Sequence, residues 1–212
     1  MSKKPRTDKH TADGLREVWD RYAPRYDRDI SFFERIQFAS GREWVCPQAT
    51  GDVLEVAIGT GRNLPHYPAD VRLTGLDLSP AMLDIARSRA AELGREVELH
   101  EGDAQALPFA DASFDTVVCT LGLCGVPDER VAIAEMHRVL RPGGKLLLLD
   151  HVGSHHRIVH FGQSLLEKLS VRMCGDYQTR RPLPLVEQAG FVVQRQERLK
   201  LGMVERVAAV KP

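Results

Sequence analysis

Residues 53–64, VLEVAIGTGRNL, constrain this chain more than any other stretch. An apolar run ends beside an acidic residue, a tight glycine turn follows, and then comes what reads as a helix start. Val53, Leu54 and Val56 form a buried strand, while Gly59 and Gly61 let the backbone turn sharply and approach a ligand with no Cβ in the way. Glu55 sits just before the turn, where a carboxylate can accept hydrogen bonds or pair with a cation. A dinucleotide-binding turn would use a third glycine to seat a pyrophosphate at the helix N-terminus, and that position here is Leu64. The pattern therefore favours a nucleoside carrying positive charge over a pyrophosphate.

Around this turn, strands and helices alternate. Strand-like runs at 52–57, 72–77, 96–101, 114–120 and 144–150 are separated by helix patterns at 61–66, 80–93 and 128–140. Ser79 caps the second of these helices, Pro80 takes its first turn and Gly94 ends it. Arg138 and Arg141 close the third, before Pro142, Gly143 and Gly144. Such alternation implies a mostly parallel sheet with right-handed crossovers. Upstream, Leu15, Val18, Trp19, Tyr22 and Tyr26 predict a helix over 11–27 that Pro24 kinks or ends. Phe32, Ile36, Ala39 and Val45 continue that period over 31–45, with Ser31 as N-cap and Glu34 completing a capping box. Downstream, helices over 156–173 and 182–189 precede strands 190–199 and 202–210, which the short join around Gly202 makes antiparallel neighbours. The chain divides into a tail and helical lid over 1–45, its first ten residues a frayed polar tail, and a main domain over 46–212.

Twenty-nine basic side chains balance twenty-nine acidic ones among 212 residues, so no global attraction to nucleic acid is expected. Cys46, Cys119, Cys124 and Cys174 show no paired ligand spacing, and no metal is expected. No secretory apolar segment follows the N-terminus and no run is long enough to span a bilayer. The expectation is a reduced, cytoplasmic enzyme.

Three carboxylates fall at the carboxyl ends of strands, where open α/β sheets bind ligands: Glu55, Asp77 and Asp103. Asp77 closes VRLTGLD, eighteen residues after Gly59, where it can take both hydroxyls of a ribose. Asp103, in EGDAQALPF, can reach the amino group of a purine. This constellation resembles the class I S-adenosylmethionine-dependent methyltransferases over about residues 15–152. The later runs FDTVVCTLGLC and EMHRVLRPGGKLLLLDHV carry the same likeness. The family pattern opens on an acid, here Glu55, followed by G-x-G-x-G, with Ala57 standing at the first glycine. The resemblance implies that Gly59 and Gly61 pass beneath the methionine moiety of the cofactor, with Asn63 and Leu64 near its carboxylate. Asp77 would hold the ribose, Leu78 and Met82 would pack on the adenine, and Asp103 and Ala104 would recognise its amino edge. Thr120 and Leu121 would face the methyl group. It also implies a doubly wound, Rossmann-like, seven-stranded sheet whose last strand is antiparallel. Within the class, YAPRYD, GTGRNLPHYP and CTLGLCGVPD resemble the phospholipid N-methyltransferases, the quinone-biosynthesis C-methyltransferases and the methyltransferase-like thiol methyltransferases.

Methyl transfer from a sulfonium asks a protein for alignment and a dry site, with a general base where the nucleophile carries a proton. His151, after the fifth strand and beside Asp150, is the candidate base; its alternative is a residue that lines the site or bonds to backbone. His155, His156 and His160 open the next helix in solvated or capping roles. Tyr22 and Tyr26, four apart on one helix face, are the candidates for sealing the site, with Trp19 as packing. Cys124 is a candidate pocket residue. Arg180 and Arg181 are solvated, or hold an acceptor's carboxylate or phosphate if they face the pocket. The apolar residues of helix 156–173 are most simply explained by packing on the sheet; the alternative is an interfacial helix at lipid headgroups.

The expected activity is methyl transfer from S-adenosylmethionine to a small molecule or lipid headgroup, releasing S-adenosylhomocysteine, with a phospholipid N-methyltransferase as the narrower alternative. A nicotinamide-dependent oxidoreductase is a reading of another class, opposed by the missing third glycine. A noncatalytic cofactor-binding module is a third.

Overall fold

The apolar run before the glycine turn becomes β1 (Asp52–Val56), an inner strand of a seven-stranded sheet in the computed structural model, which describes residues 11–38 and 40–212. The other strands are β2 (Arg72–Asp77), β3 (Glu98–Glu101), β4 (Phe114–Thr120), β5 (Leu140–His151), β6 (Val192–Leu199) and β7 (Val204–Val210). Their spatial order is β3-β2-β1-β4-β5-β7-β6. β1 to β5 are parallel, and β7 lies antiparallel between β5 and β6. The chain winds outward from β1 to β3, returns to β4 and then winds the other way. The strand order therefore reverses between β1 and β4, and a crevice at their carboxyl ends is the expected ligand position in a doubly wound sheet.

The inner strands are apolar on both faces, as parallel strands covered on both sides must be. Leu54, Val56, Val117, Cys119, Leu146 and Leu148 face one core with Ile133 and Met136 of α4 (Glu129–Val139) and Val186 of α6 (Pro182–Gln188). Val53, Val118, Leu147 and Leu149 face the other, with Val45 of α2 (Gly41–Val45) and Leu83 and Ala90 of α3 (Pro80–Glu92). The alternation follows from the two-residue repeat of a strand. Ser79 caps α3 by accepting from the Met82 amide at 3.2 Å, as the sequence indicated.

The N-terminal region departs from its expected form. α1 (Ala12–Phe33) does not end at Pro24 but continues past the expected boundary at residue 27, into a π-helical turn over Glu34–Phe38. Ser31 is inside α1 rather than at an N-cap, and its hydroxyl donates back to the Asp27 carbonyl. Glu34 completes no capping box; its carboxylate binds Arg42 and Arg62 instead. Ile36 is exposed rather than packed inward. Tertiary contacts outweigh the local signals here. Asp20, Asp27 and Glu34, seven apart on one face, tie α1 to the sheet side: Asp20 accepts from the Ser79 hydroxyl at 2.6 Å, and Asp27 from the Thr60 hydroxyl at 2.6 Å and from Arg89 at 2.5 Å. The polar opening stretch and Ala39 lie outside the described residues. The expected helix over 61–66 is a turn followed by one 3₁₀ turn, Leu64–His66, so the first crossover contains no regular helix.

α5 spans Arg157–Cys174, close to its expected bounds, yet its large apolar residues face solvent rather than the sheet.

Candidate functional site

A cleft with about 840 Å³ of empty space opens at the carboxyl ends of β1, β2 and β4, beneath α1. Its floor is the turn Ala57–Thr60. Leu76, Asp77 and Leu78 wall it at the end of β2, with Met82 of α3 and Gly102, Asp103 and Ala104 after β3. Thr120, Leu121 and Gly122 follow from β4, and Leu15, Trp19 and Tyr26 of α1 cover it together with Arg42 and Arg62.

The floor turns sharply because two of its residues adopt left-handed backbone, Ala57 at φ 57° and Gly59 at φ 57°; Leu121, at the end of the neighbouring strand, does the same at φ 53°. Non-glycine residues in that region carry strain that the surrounding structure must hold. Asp77 does part of that holding. One of its oxygens accepts from the Gly59 amide at 2.7 Å and the other from the Ser79 amide at 2.9 Å. A Cβ added to Gly59 would meet nothing within 4 Å and would project into the cleft, so the missing side chain leaves room for a ligand. Gly122 is small for the converse reason. A Cβ there would come within 2.8 Å of the Ala57 methyl, so the alanine at the first glycine position is accommodated by glycine across the floor.

The three expected carboxylates separate into two groups. Asp77 and Asp103 line the cleft, and burial pushes Asp77 up to about 6 against its backbone hydrogen bonds. Asp103 accepts from the Gln105 amide at 2.9 Å and keeps its side chain at the cleft edge. Glu55 does not line the cleft. It is fully buried beneath the turn, accepting from Asn63 Nδ2 at 2.8 Å and from the Tyr67 hydroxyl at 2.9 Å. Burial raises it to about 7, so its charge is half lost near neutrality and cannot by itself select a cationic ligand.

Asn63 and Leu64 lie in this buried layer as well. Asn63 donates to Thr120 at 2.9 Å and accepts from Arg42 at 2.6 Å, while Leu64 packs in the core. Gly61 lines packing rather than cleft, since a Cβ there would strike Leu64 at 2.8 Å and Ala86 at 3.3 Å. The cations at the cleft are Arg42 and Arg62, which the sequence reading missed. Both pair with Glu34, and Arg62 lies 3.4 Å from Asp27. The seven-residue spacing of Asp20, Asp27 and Glu34 was the available signal.

The aromatic cover also differs from expectation. Trp19, read as packing, lines the cleft with Tyr26, while Tyr22 lies outside the lining and supports both rings at centroid distances of 6.0 Å. Burial pushes the Tyr26 phenol well up, so it stays protonated.

Behind the wall formed by Gly122, Gly125 and Val126 lies a second cluster. His151 Nε2 is 3.1 Å from Asp176 and 3.9 Å from Asp150. Cys124, His151 and Asp176 offer atoms within 4.8 Å of one another. Burial alone would lower the imidazole pKa, but the Asp176 contact and the Asp150 charge outweigh it and hold His151 above its ordinary value. Its Nδ1 is buried without a hydrogen-bond partner. Cys124 is buried in this cluster rather than facing the cleft, and burial beside Asp150 and Asp176 keeps its thiol protonated.

Arg180 spends its guanidinium on the carbonyls of Leu123 at 2.7 Å, Val126 and Pro127, over the Tyr177 ring. Arg181 is exposed at the start of α6. Neither faces the cleft, so an acceptor's anionic group would find no partner in them. Arg180 instead anchors the loop after β4.

Residues 54–148 match the family described as the methyltransferase domain. The chain is 33% identical over 181 residues to the demethylmenaquinone methyltransferase of Thermus thermophilus, covering 79% of this chain and 81% of that protein. It is 38% identical over 143 residues to the protein of the same name from Deinococcus radiodurans, covering 64% and 59% respectively. Against the phosphatidylethanolamine N-methyltransferase of Cereibacter sphaeroides it is 44% identical over 103 residues, covering 48% and 51%. The matches to the last two thus span little more than half of each relative's length. A solved methyltransferase from Thermotoga maritima shares the fold at a TM-score of 0.69 and 21% identity, covering 93% of this chain and all of that one.

The raised Glu55 gives a pH signature. Its folded value of about 7 exceeds the ordinary 4.5, so the native state holds the extra proton between these values. Its contribution to stability is full below 4.5 and is lost as pH rises through about 7. Urea denaturation of Glu55→Gln should show a smaller loss over that window than the parent; equal slopes would contradict the buried, protonated carboxyl.

Proposed function

The chain belongs to the class I S-adenosylmethionine-dependent methyltransferases, and we propose that it methylates a small amphiphilic acceptor, a quinone-like ring or a lipid headgroup. The observation that carries the cofactor assignment is the open Cβ position of Gly59 beside the anchored carboxylate of Asp77, at the reversal point of the sheet. That donor set fits an adenosyl group carrying a positive charge. The names of the relatives, which concern demethylmenaquinone and phosphatidylethanolamine, support an amphiphilic acceptor, as does a cleft covered by Leu15, Trp19 and Leu121.

S-adenosylmethionine, when bound, supplies an electrophilic methyl on a sulfonium, whose transfer is an in-line displacement. The chain's own residues do the positioning. Asp77, with one lone pair of each oxygen committed to an amide, keeps the others for ribose hydroxyls. Leu78 and Met82 offer an apolar face for a purine, and Asp103 with Ala104 stands at its edge. Arg42 and Arg62 are the cations for a carboxylate, in place of Asn63 and Leu64. Trp19 and Tyr26 line the cleft and exclude water, and aromatic rings suit a sulfonium. Thr120 and Leu121 border the space left for the acceptor. His151, whose Nε2 is held by Asp176, lies outside the cleft lining, and its unpartnered Nδ1 takes a proton only from an acceptor group that reaches past Cys124.

Asp77→Ala should weaken cofactor binding in calorimetry by roughly 1–3 kcal/mol, and parent binding should weaken as pH falls through about 6. Unchanged affinity would remove Asp77 from the ribose contact. His151→Asn should cut turnover on the acceptor by about 10²-fold with cofactor affinity retained, and should erase the acid limb of the rate profile. That limb should lie above the ordinary imidazole value, since only the deprotonated ring accepts a proton. A parental rate and pH profile in the variant would exclude the base role.

A further inference from the structure

α5 is built inside out. Among its described side chains only Gln163 is buried, and it is polar. Gln163 accepts from the Ser154 amide at 2.8 Å and donates to the carbonyls of Val152 at 2.9 Å and Gln178 at 3.2 Å. One turn on, Glu167 accepts from the Thr179 amide and hydroxyl, both at 2.7 Å; Ser170 then donates to the Asp176 carbonyl at 2.7 Å. This polar stripe, spaced at four and three, is the side that holds the helix to the protein. The opposite side carries Ile158, Phe161, Leu165, Leu166, Leu169 and Met173, which are 55–89% exposed. Leu201, 60% exposed and in left-handed backbone at φ 56°, sits beside the start of this face, because its carbonyl accepts from the Ser154 hydroxyl at 2.6 Å. A contiguous apolar surface of this kind marks an interaction site on a soluble body.

The charges on the helix identify the occupant. Arg157, Lys168 and Arg172 are exposed, while its one acid, Glu167, is turned inward and consumed by Thr179. At the start of the helix, Ser154, His155, Arg157, His160, Phe161 and Ser164 line a shallow hollow next to the apolar stripe, with the Arg157 guanidinium at its rim. A two-fold pairing through α5 would set these cations against their own copies. A bilayer surface bearing anionic phospholipid satisfies both halves, taking the apolar side chains among its acyl chains and the cations at its phosphates. Among the described residues no helix is long and apolar enough to cross a membrane, so such a helix lies in the interface plane.

We propose that the outer face of α5, with Leu201, docks this protein on anionic membrane. The position suits delivery of an acceptor. Gly175, at the end of α5, packs on Leu15 so closely that an added Cβ would lie 2.4 Å from it, and Leu15 lines the cleft beneath the lid. A docked α5 therefore sets the cleft beside the bilayer surface. The inference deepens the amphiphilic-acceptor reading and rests on it for its purpose, while the docking itself stands on α5 alone.

The test is co-sedimentation of the full chain with vesicles of phosphatidylcholine alone or with about one third phosphatidylglycerol. The chain should bind the anionic vesicles about tenfold or more tightly than the neutral ones, and Phe161→Ser with Leu165→Ser should lose about tenfold of that binding. Arg157→Glu with Arg172→Glu should remove the preference for anionic lipid. These side chains are exposed, so circular dichroism and melting should match the parent. Absence of vesicle binding, equal binding to both compositions, or binding unaffected by the serine pair would overturn the proposal. A dimer in sedimentation velocity that the serine pair dissociates, without vesicle binding, would assign the face to a second copy of the chain. Calorimetry with S-adenosylhomocysteine on the same preparation separates the two readings: cofactor binding without vesicle binding defeats only the docking proposal.

Discussion

Two backbone amides bound to one buried carboxylate organise this molecule. Asp77, at the end of β2, accepts from Gly59 on the neighbouring turn and from Ser79 at the head of α3. Those contacts lock together the floor of the cleft and the helix that walls it. The burial that makes the carboxylate hard to ionise also makes its contacts strong, because few water molecules compete for them. The strained backbone at Ala57 persists beside this anchor, and the space for its methyl exists because Gly122 stands opposite. A substitution at Asp77 reaches Gly59 and Ser79 directly, and one at Gly122 reaches Ala57.

The lid is fastened by charge rather than by apolar packing alone. Asp20 holds Ser79, Asp27 holds Arg89, and Glu34 binds both Arg42 and Arg62, which border the cleft. The same guanidinium groups that hold the lid therefore face the space where an anionic end of the cofactor would lie. The separate cluster at Cys124, His151 and Asp176 joins the loop after β4 to the segment after α5, with Arg180 binding the loop's carbonyls. Within it the thiol is held neutral by burial and the imidazole is held above its ordinary value by the carboxylates of Asp176 and Asp150.

The sheet was legible in the sequence because inner parallel strands are apolar on both faces and are separated by capped helices with glycine or proline at their ends. The Ser79 cap, the paired strands around Gly202 and the strand-end places of Gly59, Asp77 and Asp103 came from such local signals, while the cleft positions of Leu78, Met82 and Thr120 followed from the family resemblance. What escaped depended on distance in space. Pro24 is a helix breaker by its own chemistry, yet α1 passes through it because Asp20 and Asp27 are held from outside. Glu55 looks like a ligand carboxylate from its place before the turn, and only the fold shows Tyr67 and Asn63 closing over it. Arg180 follows a loop tyrosine and suggests anion binding, but its guanidinium is consumed by three carbonyls. In α5 the periodicity identified a helix correctly and its apolar face wrongly, since period alone does not say which side meets the protein.

The central claim is that the open floor at Gly59 receives the adenosyl cofactor. Isothermal titration of S-adenosylhomocysteine into the parent and Gly59→Ala tests it most directly, because the alanine methyl would enter space that is otherwise free, and Ala57 already tolerates the same backbone angle. The account predicts saturable binding to the parent and a loss of about tenfold in the variant, which stays folded at the measuring temperature with its melting point lowered by the left-handed strain at this position. No heat with the parent, or equal affinity in both proteins, would contradict it.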